Sequence, residues 1–245
     1  MSSTRTYQPL DKHSTASDAL QLSADAVSVS YGSDVALSEV TLAIKQGEFI
    51  GLVGQNGSGK TTLLRVLLGL LKPTKGTSTR HQSTIIGYVP QRGQLYNGIV
   101  PISAIEVVKL GSKGNVDVAQ KALQEVGMGG IQNRNFCDLS GGQQQRVIIA
   151  KALASGANVL ILDEPTTGVD EVSQSEFYTL LKKLHKENRT IVMVSHDVDS
   201  VIKLVSRVVC LNRSIVYDGP PENFRVEKHL RSDYKYHLHT GDGNV

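Results

Sequence analysis

The run Gly54-Gln55-Asn56-Gly57-Ser58-Gly59-Lys60-Thr61 constrains this chain more than any other feature. It fits the pattern G-x-x-x-x-G-K-[ST], in which glycines let backbone N–H groups wrap a phosphate that side chains would otherwise shut out. Residues 48–53 before it read as a buried strand. Residues 61–71 after it carry apolar side chains at helical spacing, closed by Lys72-Pro73. Strand, glycine loop and helix in that order belong to an α/β core, and the helix aims the positive end of its dipole at the loop. Lys60 is placed to reach the β- and γ-phosphates of a nucleotide. Thr61 is placed to put its hydroxyl on Mg²⁺, with Thr62 following on the helix.

The surrounding pattern extends that core. Residues 26–31 alternate apolar and polar as a half-buried strand does, 35–44 continue the alternation, and Gln46-Gly47 reads as a turn. Strands at 159–162 and 190–195, helices at 172–185 and 198–205 and a hairpin at 208–217 predict a largely parallel sheet. Between them, helical stretches at 116–126 and 143–153 separated by Gly- and Asn-rich segments predict an inserted, mainly helical subdomain over about 92–154. Residues 1–23 read as a flexible polar extension, 24–221 as the folded domain and 222–245 as a polar, histidine-containing tail.

Composition narrows the function. Twenty-six Lys and Arg against 23 Asp and Glu give a net charge of only +3, too weak for a nucleic-acid binder. Cys137 and Cys210 lie far apart with no CxxC pairing, which argues against a disulfide framework or a zinc site. The N-terminus lacks the basic start and apolar stretch of a secretory signal, and no apolar run approaches the roughly 20 residues that span a bilayer. Work at a membrane would therefore require recruitment by another chain.

A second acidic site stands about a hundred residues after the loop, in Val159-Leu160-Ile161-Leu162-Asp163-Glu164. An apolar strand ending in two acids puts carboxylates at the sheet edge where ligands of open α/β folds bind. Asp163 suits Mg²⁺, and Glu164 suits polarising an attacking water. Between the two motifs, Leu139-Ser140-Gly141-Gly142-Gln143 heads a helix. With this pentapeptide the chain resembles the ATP-binding cassette (ABC) nucleotide-binding domain from about residue 26 to 219.

The resemblance implies a P-loop NTPase core with a mainly parallel sheet, an antiparallel β subdomain and the inserted helical subdomain. It implies that Tyr31 stacks on adenine and that Gln91, in Tyr88-Val89-Pro90-Gln91, senses Mg²⁺ and the membrane partner. It further implies that Asp170 lies on the loop crossing between paired subunits and that His196 contacts the γ-phosphate. The run Thr167-Gly168-Val169-Asp170 departs from the commoner S-A-L-D but keeps the aspartate. Two cassettes would pair head to tail as a homodimer, each ATP lying between one subunit's phosphate loop and Ser140, Gly141 and Gly142 of the other. Integral-membrane permease subunits and an extracytoplasmic substrate-binding protein would complete a transporter, with this chain on the cytoplasmic face of the membrane.

A single cassette with a short insertion and little excess charge favours transport over soluble ABC ATPases that act on DNA or ribosomes. The lack of a glutamate-rich element at 133–138 favours import over export. The stretches 86–92, 101–108, 163–170 and 210–213 resemble the zinc and manganese uptake group, in which C-terminal histidines are common. Here His229, His237 and His239 stand near the end with Asp233 and Asp242. Imidazole and carboxylate suit Zn²⁺, so His237 and His239 are a candidate tail metal site. The competing reading is a polar tail that happens to contain histidines.

Overall fold

A computed structural model describes residues 19–91 and 101–230. Two sheets organise it. Strands β1 (Leu20–Tyr31), β2 (Asp34–Lys45) and β4 (Lys75–Arg80) form an antiparallel sheet in the order β2-β1-β4. Strands β3 (Phe49–Val53), β5 (Ile86–Val89), β6 (Val159–Asp163), β7 (Thr190–Val194), β8 (Arg207–Asn212) and β9 (Ser214–Gly219) form the second sheet, in the order β5-β6-β7-β3-β8-β9. All its pairings are parallel except the β8–β9 hairpin. β3, β6 and β7 are buried at every position, which is why they are continuous apolar runs rather than alternating ones.

Alternate side chains of this sheet feed two cores. Ile50, Leu52, Val159, Ile161, Val192 and Val194 pack with helix α1 (Lys60–Leu67) and the antiparallel sheet. Phe49, Leu160, Leu162, Ile191 and Met193 pack on the opposite face. That second core takes in α2 (Ala104–Lys109), α3 (Val116–Glu125), α4 (Gly141–Ala154), α5 (Glu171–Lys186) and α6 (Val198–Ile202). Burying each such Leu, Ile or Phe contributes about 1.5–3 kcal/mol, so the layers hold the strand ends in fixed register.

Several boundaries differ from the sequence reading. β1 begins at Leu20 rather than at Ala26, because Leu22 is fully buried and 22–24 pair with both β2 and β4. α1 stops at Leu67 rather than running to Lys72-Pro73: Gly69 adopts φ 73°, and its N–H bonds back to Val66 O at 3.0 Å. The start of the tail is folded rather than loose. Phe224 and Leu230 are buried beside a short turn of helix, α7 (Val226–His229), and the His229 ring stacks on Phe224 at 5.1 Å. His237 and His239 lie outside the described residues, as do 1–18 and 92–100.

Candidate functional site

The phosphate loop leaves β3 and enters α1 through three glycines with positive φ: Gly54 (151°), Gly57 (77°) and Gly59 (99°). At Gly59 a Cβ would lie 2.6 Å from both Ala36 O and Leu37 Cδ2, so this backbone is pressed against β2 and tolerates no side chain. The loop is braced from the other side by the β8–β9 turn, where Arg213 N–H donates to Ser58 O at 2.8 Å. Lys60 is buried, and its ammonium donates to Gly54 O at 2.7 Å and Gln55 O at 2.8 Å. Burial lowers its pKa, opposed by the nearby carboxylates of Glu164 and Asp163.

Those carboxylates end β6 beside the loop. Asp163 is buried, and its affinity for protons is raised first by that burial and then by Glu164. Tyr88 on β5 donates its hydroxyl to Asp163 Oδ2 at 3.3 Å. The Tyr88 hydroxyl is itself pushed up to about 12 by burial and by Asp163. Glu164 is the first residue past the strand and sits at φ 49°, a left-handed conformation unusual for a glutamate. Its N–H is held by Val194 O at 3.0 Å, so the end of β7 fixes the turn.

Two further sequence candidates converge on Glu164. Gln91, just past β5, donates from Nε2 to Glu164 Oε2 at 3.0 Å. His196, just past β7, pairs through Nε2 with Glu164 Oε1. Three parallel strand ends thus bring an amide, a carboxylate and an imidazole together, although the residues are separated by up to about a hundred positions in sequence. Tyr88 is the site residue to which the sequence reading gave no role. Its signal was the β5–β6 register, which a single sequence does not display.

The signature segment stands at the head of α4. Ser140 caps that helix reciprocally: Gln143 N–H donates to Ser140 Oγ at 3.3 Å, and Ser140 N–H donates to Gln143 Oε1 at 3.1 Å. Gly142 abuts Ser173 of α5, whose Cβ would lie 2.8 Å from a Cβ at that position. Asp170 caps α5 by accepting Ser173 N–H at 2.9 Å, and that bond holds its carboxyl below the usual range. Ser140 is solvent-exposed, as are Thr61 and Tyr31. Of the two free cysteines, Cys137 is exposed and Cys210 is buried within β8.

A phosphate loop on a parallel sheet, an acidic strand end met by glutamine and histidine, and an LSGGQ run at the head of α4 define a phosphate-loop ATPase of cassette type. The ABC transporter family model matches residues 37–167, more than half of the chain. The chain belongs to the ABC transporter family, as an ATP-binding subunit and an ATPase coupled to transport. A zinc import ATP-binding protein (ZnuC) of Pseudomonas syringae is 40% identical over 207 residues, 84% of this chain and 78% of its own. Among solved structures, the CbiO1 subunit of a Clostridium perfringens ABC transporter complex matches with TM-score 0.76. It is 30% identical and covers 86% of this chain and 93% of its own. A dimeric cassette in a post-hydrolysis state with ADP and phosphate matches with TM-score 0.70 and 28% identity, over 83% of this chain and all of its own.

Proposed function

We propose that this chain energises a metal importer whose cargo is zinc, working as a pair of copies on the cytoplasmic side of integral-membrane permease subunits fed by an extracytoplasmic substrate-binding protein. The observation that carries the cargo is the 40% identity to a zinc import ATP-binding protein across most of both chains. Among the described residues, no helix is long and apolar enough to cross a membrane.

Residues suited to Mg²⁺ are Thr61, Gln91 and Asp163, an all-oxygen donor set of the kind that hard cation prefers. Their surroundings fit as well. Asp163 and Glu164 crowd two carboxylates at one strand end, and Gln91 turns its amide nitrogen to Glu164, which leaves its carbonyl oxygen as the donor it can offer. Bound there, Mg²⁺ would neutralise charge on the β- and γ-phosphates.

The residues of the chain do the rest. Tyr31 stacks on the adenine, and Gly54 to Thr62 wrap the phosphates with backbone N–H groups. Lys60 moves from its loop carbonyls to the phosphate oxygens. Glu164, held between Gln91 and His196, accepts a proton from the attacking water while His196 faces the γ-phosphate. Ser140, Gly141 and Gly142 of the second copy close the pocket with the N-terminus of α4, and Asp170 lies at the crossing between copies. ATP thereby glues two cassettes together, and its hydrolysis releases them.

The test is whole-cell metal content in a strain lacking this protein, complemented with wild type or with Glu164→Gln. Zinc depletion restored by wild type alone supports the reading. Depletion of manganese instead reassigns the cargo, and unchanged metals remove metal import.

A further inference from the structure

Strand β5 and the residues just past it deliver two hydrogen-bond donors to two consecutive carboxylates. Gln91 reaches Glu164, and three residues earlier Tyr88 reaches Asp163. The register explains the second contact. Tyr88 lies opposite Ile161 in the parallel β5–β6 pair, and Asp163 is two residues further along β6, on the same face as Ile161. At about 3.3 Å per residue that offset is roughly 6.6 Å, a gap that the length of a phenol bridges. The ring of Tyr88 packs in the same apolar cluster as Ile161, Leu63 and Leu64, so a phenylalanine would fill the same space and lack only the hydroxyl. Among the described residues, that hydroxyl is the hydrogen-bond donor to the Asp163 side chain.

We infer that Tyr88 is a positioning residue, whose hydroxyl grips Asp163 Oδ2 and so sets the carboxylate to present Oδ1 to the nucleotide-bound Mg²⁺. The inference rests on the proposal that Asp163 serves that cation. A carboxylate at a strand end can turn about its own side-chain bonds, and with one oxygen engaged it loses most of that freedom before the cation arrives. The phenol also lies three residues before Gln91 on one segment, so a shift of that segment acts on both carboxylates together.

The discriminating measurement is the binding of a fluorescent, non-hydrolysable ATP analogue to the full-length chain, in EDTA and in Mg²⁺, for wild type, Tyr88→Phe and Asp163→Asn. In wild type Mg²⁺ tightens binding. Tyr88→Phe should shrink that tightening by about tenfold, the worth of one hydrogen bond to a charged group, while affinity in EDTA stays at the wild-type value. The EDTA value also checks that the variant is folded. Electron paramagnetic resonance of Mn²⁺ on the nucleotide complex provides a readout independent of affinity and should show a broadened, less ordered signal in Tyr88→Phe. Equal Mg²⁺ tightening in wild type and Tyr88→Phe overturns the inference, and so does an equal loss in EDTA and in Mg²⁺, which would make Tyr88 a packing residue. Asp163→Asn separates the two levels. If it keeps full Mg²⁺ tightening, the metal role of Asp163 itself fails. If it loses the tightening while Tyr88→Phe keeps it, the role of Tyr88 alone fails.

Discussion

The phosphate loop and the signature segment are both glycine-rich turns into helices, yet the structure treats them differently. The loop is cross-braced, with Gly54, Ser58 and Lys60 buried: Gly59 presses on β2, Ser58 O accepts from the β8–β9 turn, and Lys60 is tied to the loop's own carbonyls. The signature exposes Ser140 while Leu139, Gly141 and Gly142 are buried, and it is braced by its own Ser140–Gln143 box and by the start of α5. One is a site shaped before its ligand arrives. The other is a capped helix end that shows Ser140 to solvent, as the proposed pairing with a phosphate on a second copy requires.

The largest expected effect lies on the loop side. Glu164→Gln keeps the shape of the cluster with Gln91 and His196 and removes the proton acceptor. Steady-state turnover should fall roughly 10²- to 10⁴-fold while nucleotide binding survives and ATP-bound dimers accumulate on gel filtration. Turnover close to wild type would break the assignment of Glu164.

Next comes a test of the division itself. Lys60→Ala should abolish nucleotide binding by a single chain. Ser140→Ala should leave that binding unchanged and lower turnover roughly 10²-fold, as loss of a donor to a charged transition state does. Mixing the two inactive variants should restore activity, because a head-to-tail pair then holds one composite site with an intact loop and an intact signature. If mixing restores nothing, each cassette completes its own site and the contrast between the two turns collapses.

The same contrast explains what could be read in advance. β3, β6 and β7 were legible because burial on both faces demands continuous apolar runs, and the loop was legible because its backbone needs particular glycines. β4 was not: Lys75–Arg80 is almost wholly exposed, and it is a strand because it pairs with the free edge of β1. α2 spans six residues, too few for a helical period to show, and its start is set by the capping box of Ser103 and Glu106. The folded start of the tail depends on Phe224, Val226 and Leu230, apolar residues spaced among polar ones. Gln91 and His196 were placed by resemblance to a family. Their meeting at Glu164 is a property of strand order, and no local pattern carries it.

A smaller effect sharpens the picture of a preformed site by measuring what its preorganisation costs. The Asp163 carboxyl is held above its ordinary value by burial and by Glu164, so the folded protein favours its protonated form. An acid shifted in this direction leaves stability intact below its unfolded value and removes it as pH rises through the folded value. Asp163→Asn cannot ionise. Without nucleotide and Mg²⁺ it should therefore melt at a higher temperature than wild type at neutral pH, and the two melting curves should converge as pH falls below the ordinary aspartate range. With Mg²⁺ and ATP the order should reverse, because only the aspartate gains a cation partner. Equal melting at neutral pH without ligand would mean that the strand end carries no stored electrostatic cost, and the loop side would be less preorganised than its geometry suggests.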